Sequence, residues 1–276
     1  MTTPSTDVID ANVAAESSRV SRRFRWSNYL SLLYVVSVIL GIGIWFVAAI
    51  ADRGRGLLPT PLEVLQTGWS MVRDGTLLTN TEASLMRVLV GFIVGVLLAI
   101  PAGFLMGWYD FARGLIEPWI QFLRTIPPIA LTPMVILFLG IGEVSKIFLI
   151  FFAAFLASTI ATFQGVRNVD LTLIKAARVL GANDRTIFLK VVVPAAFPYI
   201  LVGMRLALGS AWGTLVAAEL IAANSGLGFL MQNAALYFQV SSIMVGIVMV
   251  GVLGFAMDRA LLYLERRLTA WQEKQT

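Results

Sequence analysis

Residues able to do chemistry are scarce in this chain, and their types restrict what it can be. There is no cysteine and no histidine among the 276 residues. Disulfides, thiolate nucleophiles, imidazole proton relays and the usual transition-metal sites are therefore excluded together. Three ionisable groups, Arg87, Arg205 and Glu219, sit inside long apolar runs, where each costs about 2.5 to 3.5 kcal/mol at mid-bilayer unless paired or wet. A second group, Lys175, Arg178, Asp184, Arg185 and Lys190, crowds one short segment, Leu171 to Ile200, between two such runs. The remaining polar groups in apolar surroundings are hydroxyls: Thr132, Ser158, Thr159, Thr162, Ser210 and Thr214. Hydroxyls can solvate a polar solute in transit, although in membrane helices they more often bond to their own backbone. None of these patterns is a catalytic constellation, so no enzyme is expected from this chain alone.

The elements that must carry these groups follow from composition. The chain is 58% hydrophobic and 13% charged, with a mean hydropathy of +0.82, whereas roughly a quarter of residues are charged in soluble domains. It is an integral membrane protein, and its partner of first resort is the lipid bilayer. Runs of the length that a bilayer needs, about 20 residues, are predicted at Tyr29 to Ala51, Ala83 to Met106, Trp119 to Leu139, Val144 to Phe163, Phe197 to Ala223 and Tyr237 to Met257. The fold class is thus all-α, with six transmembrane helices. The first run exceeds the apolar core of a signal peptide, about 7 to 15 residues, and is kept as an anchor. The third contains Pro127, Pro128 and Pro133, which remove backbone donors, so it is expected to kink.

Loop charge orients the chain. Fifteen Lys and Arg residues fall on the side of both termini and of the charged segment, against four on the other side, which predicts cytoplasmic N- and C-termini. The net charge of +5 is accounted for by those loops, not by nucleic acid. Residues 1–28 are polar and aperiodic and read as a disordered cytoplasmic tail. Residues 29–265 form one membrane domain with a charged loop at about 165–196, and 266–276 a cytoplasmic C-terminal tail. Pro61 to Val72, on the outer side, reads as a short amphipathic surface helix.

The charged segment has the signals of two short helices. Asp170 is placed to cap a helix from Leu171 to Leu180, and Gly181 to end it in a left-handed conformation. Asn183 or Asp184 caps a second, ending at Val193 before Pro194. Leu173, Ala177 and Leu180 are expected to share a face, and Ile187, Phe188, Val191 and Val192 to form a stripe. The result is an elbow with Lys175, Arg178 and Arg185 free to meet a partner.

This elbow resembles the signature of ABC importer permeases, in which Glu-Ala-Ala is followed by a glycine four residues on and, after nine more, by an Ile-x-Leu-Pro-like end. Ala176, Ala177, Gly181, Val191, Val193 and Pro194 match it, while Lys175 stands where the pattern has glutamate. The segments "SLMRVLVGFIVGVLLAIPAGFLMG", "RTIPPIALTPMVILFLGIGEVSKI" and "LGSAWGTLVAAELIAANSGLGFLMQNA", and the terminal "ERRLTAW", are similar to the taurine, alkanesulfonate, nitrate and thiamine-precursor branch, most of all to taurine permeases. The resemblance implies a type I importer permease in a bacterial inner membrane, working as a homodimer with two cytoplasmic ABC ATPase subunits and a periplasmic substrate-binding protein. It implies that Lys175, Ala176, Ala177, Arg178, Gly181 and Ala182 form the surface seated in the ATPase. No phosphate-binding G-x-x-x-x-G-K-[ST] occurs in the chain, so ATP and Mg belong to the partner and no cofactor is expected here. The implied substrate is taurine or a related small sulfonate, with nitrate or a thiamine precursor as alternatives. A secondary transporter is the alternative of another class, and it leaves the elbow unexplained.

Within the implied path, formed by the third to fifth spans, the candidate lining residues are Thr132, Ser158, Thr162, Arg205, Ser210, Trp212, Thr214 and Glu219. Trp212 either narrows the path or fills space. Arg205 takes either a structural ion pair or a substrate role. Glu219, near the outer end, is expected to hold the gate region or a neighbouring backbone. Arg87 is expected to snorkel to the interface. Gly203, Gly209 and Gly213, with Ala207 and Ala217, are expected to form a close-packing face.

Overall fold

The computed structural model describes residues 32–52, 54 and 57–269; the expected tail at 1–28 lies outside them, as do residues 270–276. The chain divides into two compact units, residues 1–64 and 65–276. In the first, α1 (Leu32–Ala51) is a single apolar helix of spanning length. Its end is held by local bonds: Trp45 donates Nε1–H to the Pro59 carbonyl (3.1 Å), and the Asp52 carboxylate accepts the Leu57 and Leu58 amides (2.9 and 2.8 Å). Thr60 and Glu63 then bond each other's backbone N–H (3.3 and 2.8 Å), a reciprocal capping box. It starts α2 (Pro61–Arg73), where the sequence predicts a surface helix.

In the second unit the described residues form helices and no strand: α3 (Thr76–Trp108), α4 (Asp110–Leu123), α5 (Thr132–Leu139), α6 (Glu143–Arg167), α7 (Leu171–Val179), α8 (Asp184–Ile187), α9 (Val193–Ala222), α10 (Leu227–Leu236) and α11 (Val240–Leu268). The backbone of α3 lies against that of α6 because small residues, Gly91, Gly95, Ala99, Gly103 and Gly107, recur every fourth residue on its contact face. A Cβ at Gly91 would meet Ile150 at 2.8 Å, one at Gly95 Ala154 at 2.9 Å, and one at Gly103 Thr162 at 2.5 Å. In lipid, where burial of apolar area does not drive association, such small-residue contact is what does. The pairing of 91 with 150 and of 103 with 162 makes α3 and α6 parallel. The chain between them must therefore return across the membrane, and α4 and α5 do so as a pair bent by 87°. The expected single span at Trp119 to Leu139 is thus two helices joined by a 3-10 turn at Pro128–Leu131, because Pro127 and Pro128 cannot supply the N–H groups that would continue α4.

α9 runs antiparallel to α6: Gly165 abuts Ala196 and Tyr199, and Gly203 abuts Ala161. The core between α3, α6, α9 and α11 contains Val88, Phe92, Ile150, Ala154, Leu208, Ala211, Trp212 and Leu215. The expected packing face on α9 needs correction. Gly203 is in close contact, but Gly209 and Gly213 face open space, and the small-residue stripe that packs is on α3. A second correction concerns Pro194. The helix does not stop there: α8 passes through a π-helical stretch, Phe188–Val192, directly into α9, with the Val193 amide bonded to the Phe188 carbonyl. The wider turn accommodates Pro194 in the first turn of α9, where its missing donor costs little. The expected tail at 266–276 likewise begins inside α11, which continues to Leu268.

Candidate functional site

The elbow is built by two caps and one glycine. The Asp170 carboxylate accepts the Thr172 amide (2.7 Å), and this backbone donor holds its pKa below the ordinary carboxylate range. At the other end Gly181 has φ +78°. Its N–H bonds to the Arg178 carbonyl (2.9 Å) and that of Ala182 to Ala177 (3.0 Å), the paired closure of a Schellman motif. Asn183, not Asp184, caps α8 by accepting the Thr186 amide (2.8 Å). The stripe Ile187, Phe188, Val191 and Val192 is turned inward, with Phe188 edge-on to Phe104 and Trp108.

The face that α7 buries differs from the expected one. Ile174 and Ala177 pack on the body, whereas Leu173 and Leu180 are exposed. The tight Gly181 turn brings Ala182 and Ile187 into the same cluster, which selects the i, i+3 pair at 174 and 177 as the contact. Lys175, Ala176, Arg178 and Arg185 consequently face outward, together with Val179 (88% exposed) and Leu180 (86%). Arg178 meets Asp184 only at 3.5 Å on the surface. Two exposed apolar side chains at the end of a short capped helix, with exposed cations nearby in the sequence, have the character of a surface suited to docking.

At the opposite end of α3, α6 and α9 lies a buried ionic network that sequence reasoning did not assemble. Arg87 is 2% exposed, and every guanidinium N–H has a partner. Nε and Nη2 form a fork on Glu143 (2.5 and 2.8 Å), Nη1 reaches Glu219 (2.6 Å) and the Ser225 carbonyl (2.7 Å), and Nη2 also reaches the Ser225 hydroxyl (2.8 Å). The expectation that Arg87 snorkels is therefore overturned: two carboxylates from other helices lie within reach, so the side chain turns inward. Lys146 completes a neutral set of two cations and two anions through Glu143 (2.8 Å).

Glu219 also caps α10. It accepts the Gly228 amide (2.9 Å) and the Ser84 hydroxyl (2.9 Å), while Ser84 accepts the Leu227 amide (2.8 Å) and Asn80 the Gly226 amide (2.7 Å). The free donors of a helix start are thus met by three side chains from α3 and α9. Gly226 has φ +117°, and a Cβ there would overlap the Glu219 carboxylate. The signal available in sequence was Asn80, Ser84 and Arg87 at helical spacing, opposite a glutamate followed by Ser-Gly-Leu-Gly.

The other candidate path residues are dispersed. Arg205 pairs with Asp258 (2.8 and 3.1 Å) and Glu265 (3.6 Å) on α11. The Thr162 hydroxyl donates to the Ser158 carbonyl (2.8 Å), and the Thr159 hydroxyl to Phe155 (2.7 Å). Thr132 and Ser158 are buried with hydroxyls that have no partner, and Trp212 is buried in the core with Nε1 unpaired. Thr214 is buried, whereas Ser210 is exposed beside Gly209 and Gly213 on an open strip of α9 that also carries Val202 and Leu206. Among the described residues no group of acidic side chains is placed to hold a metal ion.

Comparison with known proteins gives this geometry a context. The family model "binding-protein-dependent transport system inner membrane component" matches residues 91–270, which includes α7 and all of α9. A probable ABC transporter permease protein of Brucella abortus is 56% identical over 242 residues, covering 88% of this chain and 96% of its own. The taurine transport system permease protein TauC of Escherichia coli K12 is 37% identical, covering 91% and 94%, and the nitrate import permease protein NrtB of Synechocystis is 32% identical, covering 94% and 100%. Among solved structures, a chain of the inward-facing MetNI methionine ABC transporter aligns with a TM-score of 0.62 at 21% identity, covering 73% of this chain and 97% of its own; it shares the fold. The capped elbow, the parallel α3–α6 pair and these likenesses agree, and the chain belongs to the inner-membrane permeases of binding-protein-dependent ABC importers, in the branch that includes taurine, sulfonate and nitrate permeases, as a transport component rather than an enzyme.

Proposed function

We propose that this chain, paired with a second copy, two ABC ATPase subunits and a substrate-binding protein, imports taurine or a related small sulfonate, with both termini in the cytoplasm. The observation that carries the reading is the elbow: a rigid, doubly capped helix exposing Val179 and Leu180 amid Lys175, Arg178 and Arg185. ATP and Mg act on the ATPase. Closure of its two subunits displaces α7, and the displacement is delivered to the membrane because α8, the π-helical stretch and α9 are one continuous rod. From Ile187 to Glu219 that rod spans about 48 Å, ending at the network that holds the start of α10.

The sulfonate assignment is supported by the likeness to TauC. It also suits a path whose one cation, Arg205, is already paired with Asp258 and Glu265, so that an anion passes without being trapped. The permease reconstituted with its own ATPase and binding protein should take up labelled taurine only with ATP. Uptake of nitrate but not of taurine or short alkanesulfonates removes the substrate assignment. Uptake that persists with a hydrolysis-dead ATPase removes the importer reading. Orientation is tested separately in this cysteine-free chain, where Ser5→Cys should escape an impermeant label in intact cells.

A further inference from the structure

We propose that the exposed face of α11 beyond Phe255 is a binding surface for anionic phospholipid headgroups, on the side of the membrane that holds the C-terminus. The face runs Val248, Val252, Phe255, Arg259, Tyr263, Arg267, a line at spacings of three and four residues. Its first part is lipid-like: Val248, Val252 and Phe255 are all exposed. It then changes character abruptly into alternating aromatic and cation. The Arg259 guanidinium lies 4.6 Å from the centre of the Phe255 ring, and that of Arg267 5.2 Å from the Tyr263 ring.

Charge on this helix is sorted by face. Its two carboxylates, Asp258 and Glu265, are both turned to Arg205 on α9. Arg259, Arg266 and Arg267 are exposed, and none has an ion pair among the described residues. Stacking orders the Arg259 and Arg267 side chains in advance, so less rotamer freedom is lost when an anion is bound.

Depth fits as well. From Val240 to Arg259 α11 rises about 28 Å, close to the hydrocarbon thickness of about 30 Å, and Arg267 lies about 12 Å further, within headgroup reach. The arginines therefore fall where phosphates are, and the rings where the interface favours amphipathic aromatics. A headgroup of net negative charge is the ligand that complements these exposed cations, which have no ion pair within 4 Å among the described residues, beside exposed apolar helix. The proposal rests on α11 being a span, and not on the substrate transported.

The test is native mass spectrometry of the purified protein in detergent, titrated with phosphatidylglycerol or phosphatidylcholine. Phosphatidylglycerol should be retained in preference. Each of Arg259→Gln and Arg267→Gln should weaken its retention about fivefold, and the double variant about thirtyfold, at the usual strength of a basic residue on an anionic leaflet. Arg113→Gln, which removes a cation on α4 paired with Asp110 and Glu117, should leave retention unchanged. The double lysine variant, which keeps charge and loses the planar stack, should fall between. Equal retention of the two lipids, an unaltered double glutamine variant, or displacement of the lipid by inorganic phosphate at equal concentration overturns the proposal. So does spontaneous crosslinking of two copies through Tyr263→Cys, which assigns the face to a second copy.

Discussion

Replacing Arg87 by methionine is the most informative perturbation of the buried network, because its consequences for the two carboxylates differ. The Glu219 side chain is completely buried, whereas that of Glu143 is 57% exposed and keeps Lys146. Loss of the guanidinium therefore leaves one uncompensated buried charge, not two. Breaking a buried pair by removing one partner costs about 3 to 5 kcal/mol, which for about 200 residues lowers Tm by roughly 6 to 20 °C. Glu143→Gln leaves Arg87 paired with Glu219 and keeps an amide oxygen for Lys146 at a half-exposed position, so it should cost less, about 2 kcal/mol. Arg87→Met/Glu219→Met removes both buried charges and should recover most of the loss, giving a coupling of about 2 kcal/mol or more in a double-mutant cycle. Thermal unfolding of the purified protein in one lipid nanodisc composition, followed by tryptophan fluorescence, supplies all four values. If Glu143→Gln is as damaging as Arg87→Met, or if the double variant loses the sum of its singles, the reasoning fails. The same variants sense the α10 cap, since Ser84 and Gly228 would still hold Glu219 after Arg87 is gone.

Gly181→Val forces a β-branched residue to φ +78°, costing about 1 to 2 kcal/mol locally. It should abolish co-purification of the ATPase while the Tm of the membrane part stays within a few degrees. Asp170 has a folded pKa lowered by the Thr172 amide, so its capping is complete above the ordinary carboxylate pKa and fades as pH falls through the lowered value. Hydrogen exchange of α7 amides should rise only in acid, and Asp170→Asn, which caps without titrating, should remove that dependence. Gly103→Leu places a side chain where a single Cβ already meets Thr162 at 2.5 Å and should lower membrane expression severely. Gly213→Ala, facing open space, should leave Tm unchanged.

Legibility in the sequence tracked the range of the forces involved. The spans were readable because hydropathy accumulates within about 20 consecutive residues, and the elbow because Asp170, Gly181 and Asn183 act on amides no more than five positions away. The third span was misread in shape: its prolines announced a break but not the 87° angle between its two halves, which no local signal sets. Gly209 and Gly213 were misassigned, though Gly203 was not, because a glycine pattern states that close approach is allowed, not which neighbour makes it. On α3 the same pattern went unused, though it brings the backbones together.

The sequence by itself determined the medium, the helical class, the approximate places of the spans and the capped elbow, since each depends on composition or on contacts within one or two helical turns. Only the tertiary structure decided where the charges go. Arg87 finds Glu143 and Glu219 across 56 and 132 positions, and Gly226 finds Asn80 across 146. A lone arginine in an apolar run can lower its cost either by escaping to the interface or by pairing inside, and the choice falls to whichever partner the packing of α3, α6 and α9 brings within hydrogen-bond reach.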